Sequence, residues 1–370
     1  MRVLHAAETI KGGVATVLDS LATFQKQNHQ ISQLNILVPE QHMSELSATL
    51  RPYITTFNRQ KRGVLGLLSF AKSFYRQVKS LEPNIVHLHS TFAGFIGRLM
   101  ILAFFRNRNI KVVYCPHGFS FLVDTFFIKR LIFTLCERLL SLSTQSIICV
   151  GEFEYIKALE KGFSSHKLCL ISNGVELPSL SNALTHNKLD EYTLLYVGRF
   201  DYQKGTDTLM DALRTLDEKT LSFKLNVIMV GSSVNQISDK ENYEFKNITI
   251  TYTGWIKKEQ IGEYYRKANC LIIPSRWEGF AMVPLEAISY NLPIITSDIV
   301  AFKELNRVSK LFFNCGNSAS LASLLSGINT YDLDNAKKRL MQKLVDNYTR
   351  DKMNTKTLDV YAQVTTRKIK

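Results

Sequence analysis

Short runs of β-branched and aliphatic residues recur along this chain, and most are separated from the next by a segment of helix length. In the first half these are RVLHAA, ISQLNILV, NIVHLH, KVVYC and QSIICV; in the second, YTLLYVG, FKLNVIMVG, NITITYTG, NCLIIP and LPIITS. Strand and helix in alternation predict α/β architecture, with parallel sheets covered by helices on both faces. At 370 residues the chain accommodates two such sheets better than one. The break falls where ELPSLSNALTHNKLDEY, Glu176 to Tyr192, is polar and turn-rich without an apolar period. We therefore expect domains over 1–176 and 190–350, and a helical C-terminal segment, 351–370, that returns toward the first domain.

Composition removes several classes. At 45% hydrophobic and 21% charged the chain is in the globular range, far from disordered sequences. The apolar stretch Phe92 to Phe105 is broken by Arg98 and falls short of the ~18 to 20 residues that cross a bilayer. The N-terminus MRVLHAAETIKGG lacks the ~7 to 15 residue apolar core of a secretory signal, so a cytosolic protein is expected. Six singly spaced cysteines with no CxxC pair imply neither zinc nor disulfides.

Charge is uneven. Residues 51–140 hold 14 Lys and Arg against Glu82, Asp124 and Glu137, so one quarter of the chain carries nearly all of the net +14. Two segments there read as basic amphipathic helices. In VLGLLSFAKSFYRQVK the polar positions are Ser69, Lys72, Ser73, Arg76 and Gln77; in DTFFIKRLIFTLCERLL they are Arg130, Thr134, Arg138 and Ser141. These stripes are solvated outer faces of ordinary helices, or a surface for anionic lipid. No nucleic-acid recognition motif accompanies them, and nucleic acid is not expected as a partner.

Ligands of open α/β sheets lie beyond the carboxyl ends of the strands. After YTLLYVG come Arg199 and Lys204, five residues apart, on a loop leading into the helix TDTLMDAL; two cations at a helix N-terminus suit a diphosphate. After NCLIIP comes SRWEGFAMVPLEAISYNLPIITS, with Glu278 at the strand end and Glu286 inside a helix expected to begin near Ala281. Gly279 lets the backbone approach a ligand, and the amides of Phe280, Ala281 and Met282 are expected to be free for an anion. Carboxylates that accept from hydroxyls beside amides that bind an anion suit a phosphorylated polyol.

These elements, with GGVATVL, CPHGF and SNGVE, resemble the retaining glycosyltransferases of family 4, over about four fifths of the chain and in the right order. The resemblance implies two Rossmann-like domains facing one another across a cleft (GT-B). It implies that Arg199 and Lys204 hold the donor diphosphate, that Glu286 binds the ribose hydroxyls and that Glu278 touches the donor sugar. Gly12 and Gly13 would form the loop beneath that sugar, and His117 would sit near the reacting centre. Gly254 and Trp255, after NITITYT, are candidates for the nucleobase wall, although Trp255 suits interdomain packing equally well. Ala281 stands where the family often has glycine.

Two cations and a helix N-terminus can stabilise a departing diphosphate, so neither metal nor cofactor is expected. The sole Asp-x-Asp, Asp332 to Asp334, reads as a helix N-cap. The expected activity is metal-independent transfer of a hexose or N-acetylhexosamine, with retention, from a nucleotide sugar. UDP is the expected carrier. The expected acceptor is a lipid-linked saccharide in bacterial O-antigen or capsule synthesis, reached from the inner face of the cell membrane through residues 51–140. Competing readings are a nonhydrolysing sugar-nucleotide epimerase of the same fold and a noncatalytic sugar-nucleotide-binding subunit.

Overall fold

The computed structural model describes residues 1–59, 63–122, 126–178, 191–219, 221–233 and 245–366. Most of the expected linker, residues 179–190, lies outside the described residues, as do Lys61, Arg62 and Asp124 of the basic quarter and residues 367–370. The chain divides into two compact units, Met1–Gly174 with Arg350–Lys370, and Val175–Thr349.

The first unit runs β1 (Arg2–Ala7), α1 (Gly13–Gln25), β2 (Gln33–Pro39), β3 (Ile54–Phe57), α2 (Val64–Leu81), β4 (Ile85–His89), α3 (Thr91–Phe104), β5 (Lys111–Cys115), α4 (Phe127–Ser141), β6 (Ser146–Cys149), α5 (Glu152–Glu160) and β7 (Leu168–Leu170). Its parallel sheet has the order β3-β2-β1-β4-β5-β6-β7. Strand succession reverses direction between β1 and β4. Right-handed crossovers then place α2, α3, α4 and α5 on one face and α1 on the other. The second unit runs β8 (Glu191–Val197), α6 (Thr206–Asp217), β9 (Lys224–Val230), β10 (Ile248–Gly254), α7 (Lys258–Lys267), β11 (Cys270–Ile273), α8 (Met282–Ser289), β12 (Ile294–Ser297), α9 (Val300–Asn306), β13 (Phe312–Phe313), α10 (Ser318–Ser326) and α11 (Leu333–Asn347). Its order is β10-β9-β8-β11-β12-β13, all parallel, with the reversal between β8 and β11. The last helix, α12 (Arg350–Thr366), packs on α1.

Strands β4 and β5 are buried throughout, as strands covered on both faces must be. β3, β7 and β13 have no counterpart among the expected strands; at two to four residues they are too short to show a period. Asp332 caps α11, its side chain accepting from the Asn335 amide at 2.9 Å. Helix α2 turns Phe70 and Phe74 into the core and leaves Lys72 and Arg76 exposed.

Helix α4 follows its expected orientation only in part. Of the polar stripe Arg130, Thr134, Arg138 and Ser141, the two arginines are exposed as expected, but Thr134 is buried and Ser141 half-buried, while Phe127, Ile128, Leu135 and Leu139 also stand exposed. The reason lies beneath it. Glu137 is drawn inward to Arg98 (Nη2 to Oε2, 2.7 Å), the residue that interrupts the apolar run of α3, and accepts from the Tyr114 hydroxyl at 3.0 Å. The Arg98 guanidinium also lies 4.0 Å from the centre of the Tyr114 ring. A buried ion pair so bonded forces its own side of the helix inward.

Candidate active site

The candidate residues form two groups, one on each unit, at the carboxyl edge of its sheet; most lie by the strand reversal, whereas Gly254 and Trp255 follow the edge strand β10, two strands away from it.

In the second unit, Arg199 and Lys204 follow β8, and Glu278 follows β11, its neighbour across the reversal. The two loops are stitched together. Arg276 N donates to Gln203 O at 2.8 Å, and Gln203 Nε2 donates to Trp277 O at 3.2 Å. Gly205 is left-handed, φ 67°, and a Cβ on it would lie 2.0 Å from the Pro274 carbonyl oxygen. No other residue fits there. This approach brings Lys204 Nζ to 2.5 Å from Glu278 Oε1, which also accepts from Ser275 Oγ at 2.8 Å. Arg199 is held by Gln203 (2.9 Å) and Asp201 (3.2 Å). An ammonium has three protons and a guanidinium five, so both cations keep donors to spare.

Arg276 was not anticipated from sequence. It grips both carboxylate oxygens of Asp207 on α6, at 2.7 and 2.6 Å, and lies 3.9 Å from the centre of the Tyr202 ring. Its bidentate bond and charge hold the Asp207 carboxyl below its usual value against the opposing effect of burial.

Helix α8 begins at Met282, one residue later than expected, because Ala281 is an extended N-cap (φ −75°, ψ 134°) with no side-chain cap. Phe280 therefore precedes the helix rather than lending it an amide, and its ring lies 5.7 Å from that of Tyr348. Pro284, third in the helix, has no N–H, which leaves Ala281, Met282 and Val283 as the amides for an anion. Gly279 is exposed in the same loop. Glu286 is half-buried, and its Oε2 accepts from the Tyr265 hydroxyl at 3.0 Å. Gly254 (φ 71°) ends β10, with Trp255 exposed beside it.

In the first unit, Gly12 caps α1 and Gly13 opens it; Gly12 has φ 58° and ψ −130°, a conformation that only glycine takes readily. His117 follows β5 with φ 52°, strained for a residue bearing a Cβ. Glu154 on α5 holds this turn: its Oε1 accepts from the amides of Gly118 (3.0 Å) and Phe119 (3.1 Å), its Oε2 from Val150 (2.8 Å). Burial pushes the Glu154 carboxyl up to about 7, opposed by those three amides.

His117, itself half-buried, ends a chain of three buried histidines. The β1–β4 register sets His5 opposite His87, and the two-residue period puts His89 on the same face. Gln25 Nε2 donates to Tyr361 Oη, so Gln25 Oε1 faces His5 Nε2, 2.8 Å away, which must be the donor. His5 Nδ1 then accepts from His89 Nε2 (3.0 Å), and His89 Nδ1 from His117 Nε2 (3.1 Å). His117 thus keeps Nδ1 as an acceptor. His87 Nδ1 meets Tyr361 Oη at 2.6 Å, and its Nε2 is buried without a hydrogen bond. One nitrogen each of His5, His87 and His89 lie within 4.8 Å of one another, a grouping found in metal sites, with no carboxylate or thiolate among its members. Burial holds His5 and His117 down at about 4 and lowers His87 and His89 too, so all four are neutral at pH 7.

Removing Glu154 leaves the buried amides of Phe119 and Val150 and the half-buried amide of Gly118 without their acceptor. Glu154→Ala is expected to lower stability by about 3 kcal/mol or more and turnover at least tenfold, whereas Glu154→Gln, which keeps one oxygen for Gly118 and Phe119, recovers most of both. Urea unfolding and initial rates on the three proteins check this. Equal stability of the alanine variant and the parent would remove Glu154 from its role.

Two sheets with helices on their faces, each bearing candidate residues at its reversal, match known proteins over most of the chain. Residues 11–178 match Glycosyltransferase Family 4, and residues 183–340 match Glycosyl transferases group 1. A 41.2 kDa protein of the cps region of Klebsiella pneumoniae is 32% identical over 313 residues, 82% of this chain and 83% of its own. The UDP-Gal:alpha-D-GlcNAc-diphosphoundecaprenol alpha-1,3-galactosyltransferase of Escherichia coli is 27% identical over 241 residues, 61% of each chain. The structure of Anabaena Alr3699/HepE in complex with UDP-glucose superposes with a TM-score of 0.75 at 15% identity, covering 98% of this chain and 100% of that one. The fold is GT-B, and the chain belongs to the family 4 glycosyltransferases.

Proposed function

We propose that this glycosyltransferase moves a hexose or N-acetylhexosamine from a UDP-sugar to a lipid-linked saccharide during capsule or O-antigen assembly, with retention and without a metal ion. The observation that carries the donor reading is the meeting of Lys204 and Glu278 at the β8–β11 reversal, with the uncapped start of α8 following Glu278. Lys204 and Arg199 have donors left for a diphosphate, and the α8 amides add a partial positive charge. Glu286, oriented by Tyr265, accepts from ribose hydroxyls; Glu278 accepts from the sugar.

The acceptor hydroxyl enters on the face from which the diphosphate leaves, which requires the leaving group's charge to be met early. Cations and amides meet it in place of a metal. Relatives support the substrate classes: the Escherichia coli enzyme takes UDP-Gal and a diphosphoundecaprenol-linked sugar by name, the Klebsiella protein comes from a cps region, and HepE binds UDP-glucose. A lipid-linked acceptor brings the enzyme to the cytoplasmic face of the membrane, where the basic quarter meets anionic headgroups. Among the described residues no helix is long and apolar enough to cross it.

A thermal-shift screen of nucleotide sugars tests the donor. The matching UDP-sugar, at 100 times its dissociation constant, is expected to add about 2.7 kcal/mol, and turnover with acceptor is expected to survive EDTA. Stabilisation by no UDP-sugar would sink the donor assignment. Loss of turnover to EDTA would sink metal independence, and conversion of the donor without acceptor would mark an epimerase.

A further inference from the structure

The outer side of α4 carries a row of apolar side chains among its cations, while Thr134 and Glu137 are turned inward. Phe127, Ile128, Leu131, Leu135 and Leu139 are exposed at helical spacing, followed by Leu142; Leu139 is 67% exposed, whereas Thr134 and Glu137, facing inward, are 8% and 3% exposed. Helix α3 packs between α2 and α4 and adds a stripe of its own, Phe92, Phe95, Leu99 and Leu102. The first turn of α2 presents Leu65, 83% exposed.

This orientation is built into the core. Arg98 on α3 is fully buried and binds Glu137 on α4, so the polar edges of the two helices are locked together and their apolar edges are left outside. The charges are as one-sided as the apolar rows. Every exposed charged residue on α2, α3 and α4 is Lys or Arg, namely Lys72, Arg76, Lys79, Lys129, Arg130 and Arg138.

A water-facing surface carries scattered apolar side chains and charges of both signs. Apolar rows on adjacent helices among charges of one sign match the interface of an anionic bilayer, which supplies acyl chains for the first and phosphates for the second. A second copy of this chain docked on the same face would oppose positive to positive. We propose that α3 and α4 lie in the interface of an anionic membrane with their exposed apolar side chains inserted below the headgroups. The inference rests on the membrane reading of the function and replaces purely electrostatic attachment with insertion.

Insertion and electrostatic attachment separate in salt. At low salt the protein is expected to float with vesicles of phosphatidylcholine and phosphatidylglycerol. At about 1 M salt, where the screening length falls to about 3 Å, a substantial fraction is expected to stay bound. The Leu135→Glu/Leu139→Glu variant is expected to lose about 100-fold or more in partition at high salt, since each buried methylene contributes about 0.8 kcal/mol to anchoring. Arg130→Gln/Arg138→Gln is expected to weaken low-salt binding and leave the high-salt fraction nearly unchanged. Unaltered circular dichroism and donor-induced thermal shift show that both variants fold. Complete release of the parent by salt, or equal high-salt binding of the leucine variant, would overturn insertion and leave electrostatic attachment standing. Failure to float at low salt would overturn both. A dimer in light scattering that the leucine variant dissociates would assign the face to a second copy and overturn the proposal.

Discussion

Lys204→Ala is expected to lower turnover by about 10² to 10³-fold while the protein remains folded. The lysine is the cation that the Gly205 turn carries against the end of β11, and its ammonium has protons left after binding Glu278. A group that stabilises the departing diphosphate acts more strongly in the transition state than in the ground state, so its loss lowers kcat as well as kcat/KM. One side effect is foreseeable. Removing the ammonium leaves Glu278, 8% exposed, with Ser275 as its remaining bonded partner, which reduces stability. Glu278→Gln in the same chain relieves that charge, so Lys204→Ala/Glu278→Gln is expected to regain the parent's unfolding midpoint but not its rate. Glu286→Ala, which removes the acceptor oriented by Tyr265, is expected to fall in rate by a comparable factor. Parental rates in Lys204→Ala and Glu286→Ala, measured as nucleotide release with acceptor present, would refute the site.

The second large effect is with pH. His5 and His117 have folded values of about 4 against 6.5, so the neutral forms stabilise the fold. A depressed value contributes fully above 6.5, and that contribution is lost as pH falls toward 4. For each ring it amounts to about 3 kcal/mol. His87 and His89, also lowered, add to the loss. Glu154 works in the opposite sense: raised from 4.5 to about 7, it favours folding increasingly as pH drops through that range, again by about 3 kcal/mol. The histidines outweigh it. Against a typical reserve of about 5 to 15 kcal/mol, the first unit is expected to unfold between pH 6 and 4 in urea series that leave it folded at pH 7.5. A flat urea midpoint from pH 7 to 4.5 would show that the histidines are not held neutral by burial.

What was legible in the sequence follows from distance along the chain. Glu278, the start of α8 and Glu286 lie within nine residues, so one strand end and one helix display them together. Arg199 and Lys204 share a loop for the same reason. Arg276 escaped because its partner Asp207 is 69 residues away, and an arginine after a strand reads as solvated until the β8–β11 pairing brings α6 beside it. Glu154, in the run GEFEYIK, looks like an ordinary first-turn helix acid; only the β5–β6 pairing carries the His117 turn onto it. Helix α4 teaches a different lesson. An amphipathic period marks two sides but does not say which faces inward, and the deciding partner, Arg98, sits on another helix. The missed strands, β3, β7 and β13, are only two to four residues long and do not show a period of their own.

The return of α12 to the first unit shapes how this chain can be assembled. Gln25 and His87 both bond to Tyr361, which is translated only after all of residues 175–349 have been synthesised. The earliest part to leave the ribosome is thus the last to be completed, with its histidine layer missing one wall in the interval. A fragment stopped at Gly174 would keep that wall missing permanently, so the unit is divisible only if residues 350–366 are supplied with it, by fusion or as a separate peptide.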